Sequence, residues 1–353
     1  IMRTALLGLA VCGAMVCGSA AVHAQALVID GQEVADAALM ASAKKDGKVV
    51  YYGTWPPNAA AAVQAAFKKA TGIEVEYLRL TTQALYPRVT AEFAANKLQA
   101  DLIDMTDLIL VQDLVDKGIL NTPHKTPSFE RLPEDLRDPQ GRWYAVYRPP
   151  SAITVNKALL PEKDMPKTFK DVLNPKLAGS IGMPTIDAGG SSFALFMFLR
   201  DAVQSDYWTK LATQKPRVYP SIITAVGDVA RGETLAVIGG IDPSFQQIES
   251  GAPLEIVFGA EGIPSFPIGA GVATNAPHAA AAKVFLNWLT SKEGSAAVAK
   301  AGSYGIHPDA PPAQALGKSL PPNAQVWNIK LADWMSKRDS YSKQWRDLFS
   351  GGK

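Results

Sequence analysis

Cysteine is almost absent: the 353-residue chain has two, Cys12 and Cys17, and both precede Ala24. The rest of the chain therefore has no disulfide, no thiolate metal ligand and no cysteine nucleophile. Histidine is nearly as scarce. Beyond His23 there are only His124, His278 and His307, far apart and without ligand spacing, so no protein-bound metal is expected. After the first two dozen residues no run is long and apolar enough to cross a bilayer. Neither charge sign dominates, with 35 basic against 33 acidic residues and no basic run. That balance argues against nucleic acid or an anionic membrane as the main partner. Enzyme fingerprints are missing too: there is no GxSxG, HExxH, P-loop or GxGxxG followed by a suitable acid. Gly190-Ser191-Ser192 has a nucleophile turn's composition, but its spacing is wrong and no histidine can be assigned as base. Neither a cofactor nor an enzymatic activity is expected.

What is present begins with an export signal. Met2-Arg3 gives a short positive start, Ala5 to Ala21 carries no charge, and Val22-His23-Ala24 supplies small residues where signal peptidase reads. The segment 1–24 reads as a cleavable signal peptide, which sends the remainder to the periplasm. Lipid attachment is disfavoured, because Cys12 and Cys17 follow Val11 and Val16 where Gly, Ala or Ser is wanted. At ~150 residues per domain, the length suggests two domains with substantial cores.

Strands and helices then alternate. KVVYYG (Lys48 to Gly53) reads as a buried strand, followed by a helix with Val63 and Phe67 four apart and ended by Gly72. Ile73 to Leu80 and Ala100 to Met105 are further strands. Their helices carry Leu85, Val89 and Phe93, and then Leu108, Val111, Leu114 and Val115. Such alternation implies an α/β fold with a parallel sheet and helices on both faces. A Pro-rich stretch from Asn121 to Arg142 has no clear period. The pattern restarts with a strand pair over Trp143 to Asn156, interrupted by Pro149-Pro150. Gly179 to Met183 is a strand, a very apolar helix opens at Gly189 and ends near Arg200, and a helix over Ser221 to Arg231 precedes a strand over Thr234 to Gly239. An amphipathic stretch, Ala324 to Phe349, closes the chain.

Three segments in this order carry a resemblance: RVYPSIITAVGDVARGETLAVIGG (Arg217 to Gly240), FPIGAGVATNAPHAAAAKVFLNWLTSKEGSAAVAKAG (Phe266 to Gly302), and the following SYGIHPD. The chain resembles the type II periplasmic binding proteins of bacterial ABC importers, in the branch with ferric-iron, sugar-phosphate and phosphonate binders. That resemblance implies two α/β lobes, each a mostly parallel sheet flanked by helices, with the ligand between them. It places residues 25–124 and 260–312 in lobe one, and 125–259 and 313–353 in lobe two. It further implies a monomer that closes on a small-molecule solute and presents the closed form to a membrane permease. Ferric-binding relatives carry two adjacent tyrosines where this chain reads Gly240-Ile241-Asp242-Pro243, which counts against iron.

In open α/β sheets, ligands lie beyond the carboxyl ends of strands, against helix N-termini whose free N–H groups suit carboxylate or phosphate oxygens. Four loops fit: Thr54-Trp55, Thr81-Thr82, Thr106-Asp107 and Gly190-Ser191-Ser192. Each pairs hydroxyls or a carboxylate with a helix start, and each serves equally well for simple capping. Trp55 either stacks on the solute or covers a lobe edge. Arg148, beside Pro149-Pro150 and Ser151, either clamps an anion bidentately or makes a hinge salt bridge. Arg79 and Arg88 read as solvated charges, and Asp242 as a holder of an amine or hydroxyl or as a turn cap. The preferred solute is a small organic anion. The alternatives are an amine held by Asp107 and Asp242 under Trp55, ferric iron, or a role as ligand-presenting receptor for a membrane sensor.

Overall fold

The computed structural model describes residues 25–350, so the segment read as a signal peptide lies outside the described residues. A hairpin of β1 (Leu27–Ile29) and β2 (Gln32–Ala35) leads into α1 (Ala37–Asp46). Three strand–helix turns follow: β3 (Lys48–Gly53) and α2 (Pro57–Thr71), β4 (Glu74–Arg79) and α3 (Thr82–Ala94), β5 (Leu102–Met105) and α4 (Leu108–Asp116). Proline at the start of α2 wastes no hydrogen bond there. Gly72 ends that helix in the left-handed region, at φ 76°, and returns its amide to the Lys68 carbonyl. Beyond a surface stretch come β6 (Tyr144–Tyr147) and β7 (Ser151–Asn156). They are followed by β8 (Ile181–Pro184), α5 (Gly190–Phe198), α6 (Tyr207–Thr213), β9 (Arg217–Tyr219), α7 (Ile222–Arg231), β10 (Ala236–Gly240), α8 (Asp242–Glu249) and β11 (Leu254–Val257). The chain recrosses through β12 (Ile263–Ser265) to β13 (Ile268–Val272), α9 (Ala279–Leu289) and α10 (Lys292–Lys300). It finishes through β14 (Gln314–Ala315), β15 (Lys318–Ser319), β16 (Val326–Asn328) and α11 (Leu331–Phe349).

Two five-stranded sheets organise two lobes, in the orders β4-β3-β5-β13-β6 and β11-β7-β10-β8-β9. In each, four strands run one way and one opposes them: β13 is antiparallel to both its neighbours, and so is β7. Both opposed strands are the first to enter a lobe after a crossing. A chain leaving one lobe at the carboxyl end of its strands enters the other at its cleft-facing end, and so runs against that lobe's strands. The two halves of the expected strand pair over Trp143 to Asn156 thus belong to different sheets. A lobe boundary at residue 124 would put β6 in lobe two, whereas its hydrogen bonds to β13 put it on the first sheet. The crossing is Arg148-Pro149-Pro150, and the return strand is bonded to it: Pro150 pairs with Ser265, whose hydroxyl donates to the Pro149 carbonyl at 3.1 Å.

Lobe two packs around α5, whose GSSFALFMF sequence is apolar on nearly every side and almost wholly buried. Burying Phe193, Phe196 and Phe198 contributes roughly 1.5–3 kcal/mol each. The closing stretch divides: Val326–Asn328 is drawn into parallel pairing with β12, and only then does α11 begin. Trp345 of α11 packs on Phe196 and Trp334 on Phe193, so the helix rides on lobe two. Among the described residues no helix is long and apolar enough to cross a membrane.

Candidate functional site

The carboxyl ends of β4, β8, β9 and β10 meet across the cleft around a cavity of about 510 Å³. Lobe one supplies Arg79, Thr81 and Gln83; lobe two supplies Ser151, Ser191, Ser192, Ser221 and the Gly239-Gly240 backbone. Three helices begin at its wall. Thr81 stands at the start of α3 and Gly189 at the start of α5, and neither helix has a side-chain cap. Their first amides are therefore free to face a ligand. The third, α7, is capped by Ser221, whose hydroxyl accepts from the Ile223 amide at 3.1 Å. Arg79 brings a full positive charge, exposed at the end of β4. The one acid on the wall, Asp187, is paired with Arg346 at 3.0 Å. Free amides, hydroxyls and one cation make a setting for an anion's oxygens.

The residues singled out in sequence separate into three groups. Thr81, Ser151, Ser191 and Ser192 line this cavity, and Gly190 starts the helix behind the two serines. Thr82 and Thr106 lie beside it and bond to each other, hydroxyl to hydroxyl at 2.8 Å. Gly190 has to be glycine, since a methyl group on it would sit 2.0 Å from the Thr106 carbonyl oxygen.

A second group is consumed by structure. Thr54 donates both its amide (2.9 Å) and its hydroxyl (2.6 Å) to Asp104, a carboxylate that also accepts from the Tyr51 hydroxyl. Burial outweighs those hydrogen bonds and pushes the Asp104 carboxyl up to about 6. Trp55 is 1% exposed and stacked on Tyr147 at 3.8 Å, so it covers the lobe's own core rather than offering a free face. Asp107 caps α4 through the Ile109 amide (3.0 Å) and holds Arg338 at 2.6 Å. Arg148 is not on the wall of this cavity and, among the described residues, forms no salt bridge. Its buried guanidinium donates to the Gly305 carbonyl (2.7 Å) and the Asn328 side chain (3.5 Å), and burial pulls it down to about 10.

Asp242 stands apart. It borders a smaller recess of about 260 Å³ with Pro56, Asn58 and Phe245, and burial pushes its carboxyl up to about 6. Arg79, read in the sequence as a solvated charge, and Ser221, not singled out there, also line the cavity. Ser221 had a legible signal, being a hydroxyl that follows a proline and immediately precedes an amphipathic helix.

A family model of bacterial extracellular solute-binding proteins matches residues 99–337. An uncharacterised protein of Haemophilus influenzae is 25% identical over 276 residues, spanning 75% of this chain and 79% of its own length. The Fe(3+)-binding periplasmic protein of Serratia marcescens is 22% identical over 264 residues, 72% of this chain and 76% of that one. Among solved structures, the periplasmic binding protein AfuA from Actinobacillus pleuropneumoniae, with exogenous fructose-6-phosphate bound, aligns at a TM-score of 0.64. That alignment covers 87% of this chain and 99% of the other at 22% identity, a likeness of fold.

Proposed function

Because the chain belongs to the bacterial extracellular solute-binding proteins, which pass small solutes to ABC permeases, we propose that its own solute is a small organic anion. A phosphate ester, phosphonate or carboxylate is captured between the lobes in the periplasm and released unchanged to the membrane permease. The observation that carries this reading is the convergence of the uncapped α3 and α5 N-termini, the start of α7 and Arg79 on one cavity. A cavity of about 510 Å³ falls within the range of small-molecule sites. The fructose-6-phosphate in the Actinobacillus protein is a ligand of the same chemical class. The amine alternative loses two of its three residues here, since Asp107 is paired with Arg338 and Trp55 is covered by Tyr147. It keeps only Asp242. The ferric alternative has the Serratia protein in its favour, and its test is colour.

A thermal-shift screen over phosphate esters, phosphonates, carboxylates, amines and ferric citrate tests the assignment. A native-state ligand at about a hundred times its dissociation constant stabilises by about 2.7 kcal/mol, which moves the melting temperature measurably. The expected result is a rise with one of the anion classes, with that compound recovered intact. A rise with amines alone, or a visible charge-transfer band after ferric citrate, would replace the anion by the alternative concerned.

A further inference from the structure

The edge of the cleft nearest α4 is shut by contacts between the lobes. Gly190 lies against the Thr106 carbonyl, and the Gln83 amide reaches the Ala188 carbonyl at 3.5 Å. Leu331, at the start of α11, packs on the lobe-one cluster that contains Leu108 and Val111. A further contact joins opposite charges: Arg338 of α11 donates to the Asp107 carboxylate at 2.6 Å. The two partners belong to different bodies. Lys337 and Tyr341 both hold Asp201, at 2.8 and 2.7 Å, so this part of α11 is fixed to lobe two. Asp107 caps α4 and moves with lobe one.

The pair is also better placed than an ordinary surface ion pair. Asp107's side chain is 8% exposed and Arg338's 29%. The guanidinium lies over the Phe193 ring at 5.2 Å, which holds it in place within lobe two before Asp107 arrives. Less side-chain freedom is then lost on pairing, and less solvent screens it, than in the exposed pairs that contribute almost nothing.

We propose that Arg338 is a positioning residue for solute binding: its ion pair with Asp107 favours the closed arrangement and so raises affinity without touching the solute. This rests on the lobe closure assumed above but not on the solute being an anion. A ligand that binds the closed form is held more weakly when that form is less populated.

The chain has no cysteine after Cys17, so labels placed at Lys97→Cys and Ser205→Cys report the distance between the lobes. In the labelled protein without ligand, Arg338→Ala should move the spin–spin distances towards longer values. Asp107→Asn should do the same, since asparagine keeps the cap on α4 and loses the charge. Titrated with inorganic phosphate as the probe, each variant should bind about three- to tenfold more weakly, and the double variant no more weakly than either. Arg338→Lys should recover part of the loss. Unchanged distances in both single variants, or losses that add in the double, overturn the proposal. So does a lower melting temperature with distances unchanged, which is the mark of a merely structural tie. If phosphate does not bind the wild type, the ligand-free distances still decide the latch, and the anion reading is left to the screen of organic anions.

Discussion

The guanidinium of Arg79 ends β4 beside the uncapped start of α3, exposed towards the cleft cavity. A solute anion would meet it over a partly hydrated path, so its contribution should lie below that of a fully desolvated pair. Arg79→Ala is expected to weaken anion binding about tenfold, or about 1.4 kcal/mol, with the ligand-free melting temperature nearly unchanged. Arg148→Ala should do the opposite. It leaves the buried Gly305 carbonyl without its donor and opens space beneath the crossing, so ligand-free stability should fall by about 1–3 kcal/mol. The protein that remains folded should bind within about twofold of wild type. Isothermal titration together with urea unfolding of both variants checks the pair. A binding defect confined to Arg148→Ala would return that residue to the site. Both arginines are visible in the sequence, but the direction of a side chain is not. Proximity to Pro149-Pro150 placed Arg148 at the crossing correctly and says nothing about which face the guanidinium takes.

At the scale of elements, the turn from β3 into α2 is held by one buried carboxylate. Asp104 takes the Thr54 amide and hydroxyl and the Tyr51 hydroxyl, and its oxygen leaves no room for a side chain at Gly53, where a methyl group would sit 2.4 Å away. This anchoring carries a pH signature. Asp104's folded carboxyl is pushed up to about 6 from the ordinary 3.8, so between those values the unfolded chain gives up its proton first. Stability from this group is therefore present below about pH 4 and lost as the pH rises to about 6, by roughly 3 kcal/mol. His124 works against it: burial lowers its imidazole, so its contribution is lost as the pH falls below the usual histidine range. The wild-type curve mixes both trends with that of Asp242, which is raised in the same way. Asp104→Asn removes only the first, so urea unfolding at pH 4 and pH 7 should show the variant gaining about 3 kcal/mol on wild type between the two. A gap that stays constant would mean that Asp104 does not titrate in this window.

For the whole molecule, export and the crossings between the lobes matter most. Protein recovered from the periplasm is expected to begin at Gln25 with no acyl chain, by intact-mass measurement. A diacylated Cys17 at the N-terminus would overturn the cleavage-site reading. The crossings at Arg148-Pro150 and around β12 are short and tied side by side by Ser265, and the third, through β16, pairs with β12, so movement between the lobes is confined to a narrow strip. That constraint is why contacts far from it, such as Arg338 with Asp107, can bias the closed form.

The amino-acid order by itself marked many of the elements and the strand and helix ends that are candidates for ligand contact. Apolar spacing marks α2, α3 and α4, glycine marks the end of α2, and hydroxyls at helix starts mark Thr81 and Ser191-Ser192 as candidates, all local consequences of period and capping. Only the tertiary structure decided which candidates share a cavity. A strand's carboxyl end faces the cleft whether its loop meets the solute, a neighbouring ring or another lobe's helix. Trp55 is lost to Tyr147, Asp107 to Arg338 and Thr54 to Asp104, each through a partner 50 or more residues away or on another element. β6 and β7 are separated by only three residues and lie in different sheets, because the partner that completes each sheet arrives from elsewhere in the chain. Local pattern has no access to that, since contact between distant segments is created only when the lobes pack.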